Sequence, residues 1–155
     1  MAVSTFNLRV GDSVTVPIAL PPDHAGGLVF LRKRINFAKW RDWSRDVETD
    51  SPKAADILQL FNIPKGTKVL TVGTHIEVAD SAVTDFDIGD ATALDTWIDG
   101  GTGAVADVFD DSTDQEAAGV FYATADVIDL ELKTGNPTTL VLTVTAACYS
   151  YRADG

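Results

Sequence analysis

Hydrophobic and polar residues alternate with a period of two along much of the chain, the signature of half-buried strands. The clearest run follows the turn Pro64-Lys65-Gly66. Leu70, Val72, Thr74, Ile76 and Val78 fall on one face, and Thr71, Gly73, His75 and Glu77 on the other. Four small or polar residues, 79–82, turn the chain, and Thr84, Phe86 and Ile88 then share a face opposite Val83, Asp85 and Asp87. Read locally, the two runs make a β-hairpin at the centre of an antiparallel sheet.

The rest of the pattern supplies more strands. Phe6 and Leu8 alternate weakly. Val14, Val16 and Ile18 follow, but Pro17 lacks a donor and limits that run to an edge strand or extended arm. From Leu28 to Lys39, Val29, Leu31, Ile35 and Phe37 share one face, interrupted by Lys33, while Leu28, Phe30, Arg32, Arg34 and Asn36 share the other. Residues 54–63 fit a helix face at Ala54, Ile57, Leu58 and Phe61 as well as an extended segment leading into the next strand. Residues 90–100 are turn-rich, with Leu94, Trp97 and Ile98 placed to cover an open end. Residues 100–118 form a long acidic loop. Ile128, Leu130 and Leu132 alternate with charged residues, Thr134-Gly135-Asn136-Pro137 turns, and Thr138–Tyr151 reads as the last and longest strand. That strand has β-formers on both faces, which predicts a central position or a second face against another subunit.

Short strands punctuated by turns predict one antiparallel β-sandwich, jelly-roll-like and all-β. Its core is expected at Leu70, Val72, Ile76, Phe86, Ile88, Ile128, Leu130, Leu142 and Val144. The organisation divides into N-terminal strands and a basic arm over residues 1–50 and a sandwich body over 51–155.

Charge adds a second asymmetry. The 155 residues carry a net −11, which argues against nucleic acid as a general partner. Met1 to Arg45 holds seven basic residues against three acidic, net +4, so the remainder carries −15. A basic end on an acidic body predicts a docking segment for an acidic partner, at Arg32, Arg34, Lys39, Trp40, Arg41 and Trp43. The one cysteine, Cys148, is in register with Leu140, Leu142, Val144 and Ala146, so it reads as a buried thiol. No apolar run approaches the roughly 18 residues of a membrane span, and the start lacks the basic and apolar regions of a signal peptide. A reducing cytoplasm suits this composition.

Candidate chemistry is sparse. His24 and His75 have no partner at metal spacing, and no nucleophile elbow, phosphate loop or dinucleotide fingerprint occurs. Asp85-Phe86-Asp87-Ile88-Gly89-Asp90 fails the calcium-loop pattern, because Gly89 is fifth and Thr96 stands at the twelfth position. A turn capped by its aspartates is the favoured reading. No catalytic residue, metal site or cofactor is expected.

One stretch also carries a resemblance. Ile63-Pro64-Lys65-Gly66-Thr67-Lys68-Val69-Leu70, then Asp87-Ile88-Gly89-Asp90 and Trp97-Ile98-Asp99-Gly100, then Tyr122 to Leu132 and the Thr/Val-rich run Thr138 to Ala147, resembles a family of small structural proteins from tailed-phage heads. The resemblance spans about residues 54–150 and implies a non-enzymatic virion protein, a decoration or cement protein that binds the major capsid protein on the outside of the shell after assembly in the host cytoplasm. Decoration proteins of this kind commonly occupy local three-fold positions, which implies a homotrimer, with Val141, Tyr149 and Tyr151 as its interface. The alternative is a carbohydrate- or calcium-binding sandwich of a tail or fibre protein, with Trp97, Tyr122, Tyr149 and Tyr151 stacking on sugars or Asp85, Asp87 and Asp90 holding calcium.

Overall fold

The computed structural model describes residues 5–6, 28–39, 52–111 and 118–150. They form ten strands: β1 (Thr5–Phe6), β2 (Leu28–Asn36), β3 (Ile57–Ile63), β4 (Thr67–Val78), β5 (Phe86–Gly89), β6 (Ile98–Gly101), β7 (Phe109–Asp111), β8 (Val120–Tyr122), β9 (Asp126–Leu132) and β10 (Val141–Ser150). One 3₁₀ turn, Phe37–Lys39, follows β2. The first sheet runs β1-β3-β9-β5-β6 and the second β2-β10-β4-β7, with β8 also on β4. All pairings are antiparallel except β1 with β3. The expected β-sandwich is therefore present.

The expected hairpin is not. β4 belongs to the second sheet and β5 to the first, so residues 79–85 cross between layers. Both edges of β4 are already taken, one by β10 and the other by β7 and β8. The crossover is fixed by Asp80, whose carboxylate accepts the backbone N–H groups of Ala82, Thr138 and Thr139 at 2.6–3.0 Å. Burial opposes ionisation there, but those donors outweigh it and hold the carboxyl at about 2. Gly135, with φ of 75°, closes the facing turn; a Cβ would run into the carbonyl of Ala82.

Two bulges reset the alternation in β4. Cys148 pairs with Val69 and Ala147 with Thr71, which leaves Leu70 as an extra residue and turns it outward. Thr67 and Val69 are consequently buried before the bulge and Val72, Thr74 and Ile76 after it. Leu70, expected in the core, is half-exposed. A second shift at Glu77 sends Val78 outward. The other eight expected core residues are buried, joined by Trp97, Tyr122, Val83, Leu58, Leu60 and Phe61.

Residues 57–63 are extended, and a third register shift explains their helix-like spacing. It lies between Gln59 and Phe61 and buries Leu60 and Phe61 consecutively. Lys33 sits opposite. It interrupts the apolar inward face of β2 because its Nζ donates to the carbonyls of Gln59 (3.1 Å) and Leu60 (3.3 Å), covering acceptors at the bulge. Burial lowers its pKa to about 8. β10 is central, between β2 and β4, as expected; its described part, Val141–Ser150, begins three residues later than the run that predicted it.

Candidate docking face

Residues paired directly across antiparallel strands point to the same side, so register assigns the outer face of the second sheet row by row. The rows are Leu28, Tyr149, Lys68 and Phe121; Phe30, Ala147 and Thr71; Arg32, Thr145, Gly73 and Asp111; and Arg34, Thr143, His75 and Phe109. Six of the seven exposed large apolar side chains among the described residues stand on strands of this sheet. The seventh, Val105, lies in the connection to β7. Contiguous exposed apolar area of this kind marks a surface that meets something.

The face holds fixed features as well as greasy ones. Phe109, 74% exposed, lies flat on His75 with ring centroids 4.2 Å apart and planes 1° from parallel. His75 Nε2 is 3.7 Å from Asp107 Oδ1. Arg34 Nε donates to Glu77 Oε2 at 2.7 Å, and Thr143 Oγ1 donates to Glu77 Oε1. Thr143 first, and then Arg34, hold the Glu77 carboxyl below the ordinary range. This bridge reaches from β2 to β4 over β10. Arg32 is exposed and has no ion-pair partner among the described residues.

The outer face of the first sheet has the opposite character. Ile57, Glu131 and Asp87 form one row, and Gln59, Asp129 and Gly89 the next. Asp87 pairs with Lys133 Nζ at 2.7 Å and accepts the Gly100 N–H at 2.9 Å. Asp129 is pushed up to about 6, by burial and then by the charges of Asp126 and Asp90.

The two arginines expected to dock do share a face with Leu28 and Phe30, two residues apart along β2. Of the two, Arg34 is bound to Glu77 and Arg32 has no carboxylate partner among the described residues. Lys39 is exposed just beyond β2. Trp40, Arg41, Trp43 and Tyr151 lie outside the described residues. Val141 and Tyr149, expected at a self-interface, fall on the same sheet face as the arginines. Val141 is buried within the subunit, and Tyr149 is exposed. Lys68, Phe109 and Phe121 belong to the face too. Sequence reasoning missed them because only pairing register brings them beside β2 and β10.

The sugar-stacking reading loses two of its aromatics. Trp97 is fully buried and Tyr122 nearly so. Trp97 Nε1 donates to Tyr122 OH (3.2 Å), which donates to Asp90 Oδ2 (2.7 Å). Burial and the Asp90 carboxylate both push the phenol far above its usual range. The other Asp90 oxygen accepts from the N–H groups of Thr92 and Ala93 and from Thr96 Oγ1. Asp90 is thus the capping residue of its turn, as the motif's spacing suggested.

No family model matches the chain, and no curated protein matches it. Among solved structures, a chain in the capsid of Ralstonia phage GP4 superposes with a TM-score of 0.64 at 13% identity, over 98% of this chain and 100% of that one. A chain of the cyanophage Pam1 capsid asymmetric unit gives 0.57 at 14% identity, over 84% and 91%. One from the acidic stable capsid of Helicobacter pylori bacteriophage KHP30 gives 0.56 at 13%, over 81% and 90%. At these identities, what is shared is the fold.

Proposed function

We propose that this chain is a non-enzymatic virion protein of a tailed phage, a decoration or cement protein that binds the major capsid protein on the exterior of the head. The observation that carries the reading is that six of the seven exposed large apolar side chains among the described residues stand on one sheet, beside Arg32, Arg34 and Lys68, while the other sheet's face carries Asp87, Asp129 and Glu131. A cement protein needs no pocket. It adds association free energy by burying surface on its partner, and one face suited to burial supplies that. The opposite face, with no exposed large apolar side chain among the described residues, offers little for a further layer to bury. The fold shared with chains of three phage capsids supports the same assignment.

Docking uses the β2 face and the basic-aromatic segment that continues it through Lys39, Trp40, Arg41 and Trp43. Self-association as a homotrimer completes the proposal, with Tyr149 and Tyr151 as its contacts. The purified protein added to bare phage shells should decorate them at regular positions seen by electron cryo-microscopy. Shells that stay bare at micromolar protein would refute the assignment. Light scattering tests the trimer separately.

A further inference from the structure

The row Arg32–Thr145–Gly73, which reaches Asp111 of β7 by register, carries little side chain over β10 and β4. Thr145 is short and Gly73 has no side chain. On one side the next row is equally short over β10 and β4, with Ala147 and Thr71, so the depression extends over them and is edged at β2 and on its other side. Phe30, 66% exposed, stands in the row on one side; the Arg34–Glu77 bridge and the His75–Phe109 stack stand in the row on the other. Strands lie about 4.8 Å apart, so β2 and β7 flank the Thr145–Gly73 floor at roughly 14 Å, room for an inserted side chain. Arg32 stands at its β2 end with its guanidinium uncommitted among the described residues, next to a mostly exposed phenylalanine. Arg34, one row on, is already bound to Glu77.

We propose that the depression over Thr145 and Gly73, walled by Phe30, Arg32 and the His75–Phe109 stack, seats an apolar side chain of the shell protein standing beside a carboxylate that pairs with Arg32. The inference rests on the decoration reading and deepens it by naming what the face takes. Charge complementarity selects the occupant. A second copy docked face to face about a two-fold brings Arg32 towards Arg32. The chain's own carboxylate-rich face carries Asp87, Asp129 and Glu131 but no exposed large apolar side chain among the described residues. A partner that offers both an apolar knob and an acid satisfies both halves. The stacked Phe109 and bridged Arg34 are held before the partner arrives, which lowers the ordering cost of binding.

The test uses the full-length protein and bare shells. Thr145→Trp fills the depression and should weaken shell binding at least tenfold with the melting temperature unchanged. Arg32→Glu should do the same, and wild-type binding should weaken with added salt. Benzoylphenylalanine in place of Phe30 should cross-link to the shell protein, whereas the same probe at Asn62, on the opposite face, should not. The proposal is overturned if Thr145→Trp, folded, decorates like wild type. It is equally overturned if the Phe30 probe captures another copy of this chain and never the shell protein, or if the Asn62 probe captures the shell protein. If Thr145→Trp fails to fold, Arg32→Glu and the two cross-links decide. Wild-type protein that leaves shells bare defeats the decoration reading itself; wild-type binding with a silent Phe30 probe defeats only the seat.

Discussion

The two outer faces of this sandwich rest on one core yet follow different rules. Behind the first sheet, polar groups are paired or buried: Asp87 holds Lys133, and Asp90 is tied to Tyr122 and its own turn. Across the second sheet, Phe30, Phe109 and Phe121 face solvent and Arg32 has no partner ion among the described residues. The first face shows no exposed large apolar side chain among the described residues, although Asp129 Oδ1 is buried there without a hydrogen-bond partner. The second is the one where burial by another molecule gains most, since exposed aromatic area and an uncommitted guanidinium are the groups enriched in interface hot spots. Net charge is therefore a poor guide to one face: this acidic chain still exposes Arg32 among aromatic side chains.

The largest expected effects test whether one core serves both faces. Leu130, beneath the acidic face, and Val72, beneath the apolar one, are both fully buried. Leu130→Ala should cost about 2–4 kcal/mol and Val72→Ala somewhat less, each in a single cooperative denaturant transition. Two transitions would mean that the layers fold separately. Next, Tyr122→Phe should cost about 1–3 kcal/mol, because Asp90 Oδ2 and Trp97 Nε1 each lose their partner inside the protein. An unchanged unfolding midpoint would show that water replaces the phenol.

Titration separates the faces by sign. The folded Asp129 carboxyl titrates at about 6, above its unfolded value, so the folded state binds more protons between pH 6 and 4. Its contribution to stability rises as pH falls through that window, and Asp129→Asn should remove the rise and stabilise the protein at pH 7. Lys33, beneath the other face, titrates at about 8 against 10.5 unfolded. The unfolded state binds more protons between those values, so its contribution rises with pH from 8 towards 10.5. The difference in melting temperature between wild type and Lys33→Met should follow that trend, and a flat difference would contradict it. Further down, Asp80 gives stability above pH 4 that is lost as pH falls towards 2.

The smallest effect sharpens the comparison within the apolar face. Arg34→Ala removes an exposed bridge to Glu77 and should cost about 0.2–1 kcal/mol, whereas Arg32→Ala should leave thermal unfolding unchanged. Equal losses would mean that Arg32 is also committed within the subunit.

Much of this was legible before any coordinates. The period-two runs located β2, β4, β9 and β10, the Cys148 register identified a buried thiol, and the spacing around Asp90 identified a capped turn. The Arg32–Arg34 pair was legible as sharing a side of β2, because alternation along one strand is local. That Arg34 is spent on Glu77 was not, since 43 residues separate them. The sugar-platform aromatics misled for the same reason. A tryptophan and a tyrosine 25 residues apart read as surface until the fold buries them against each other and Asp90.

By itself, then, the sequence determined strands, turns, a single sandwich and the charge split between its N-terminal part and the rest, since each depends on neighbours within a few residues. Only the tertiary structure decided that the apparent hairpin is a crossover, and that bulges at Leu70 and Glu77 eject Leu70 and Val78 from the core. It also decided that Phe30, Arg32, Thr145, Gly73 and Phe109 meet on one face. Period-two alternation states that a residue faces one of two sides. Which strands pair, and where one extra residue reverses the sides, is settled by long-range pairing that maximises burial and satisfies the backbone, and no local pattern encodes that choice.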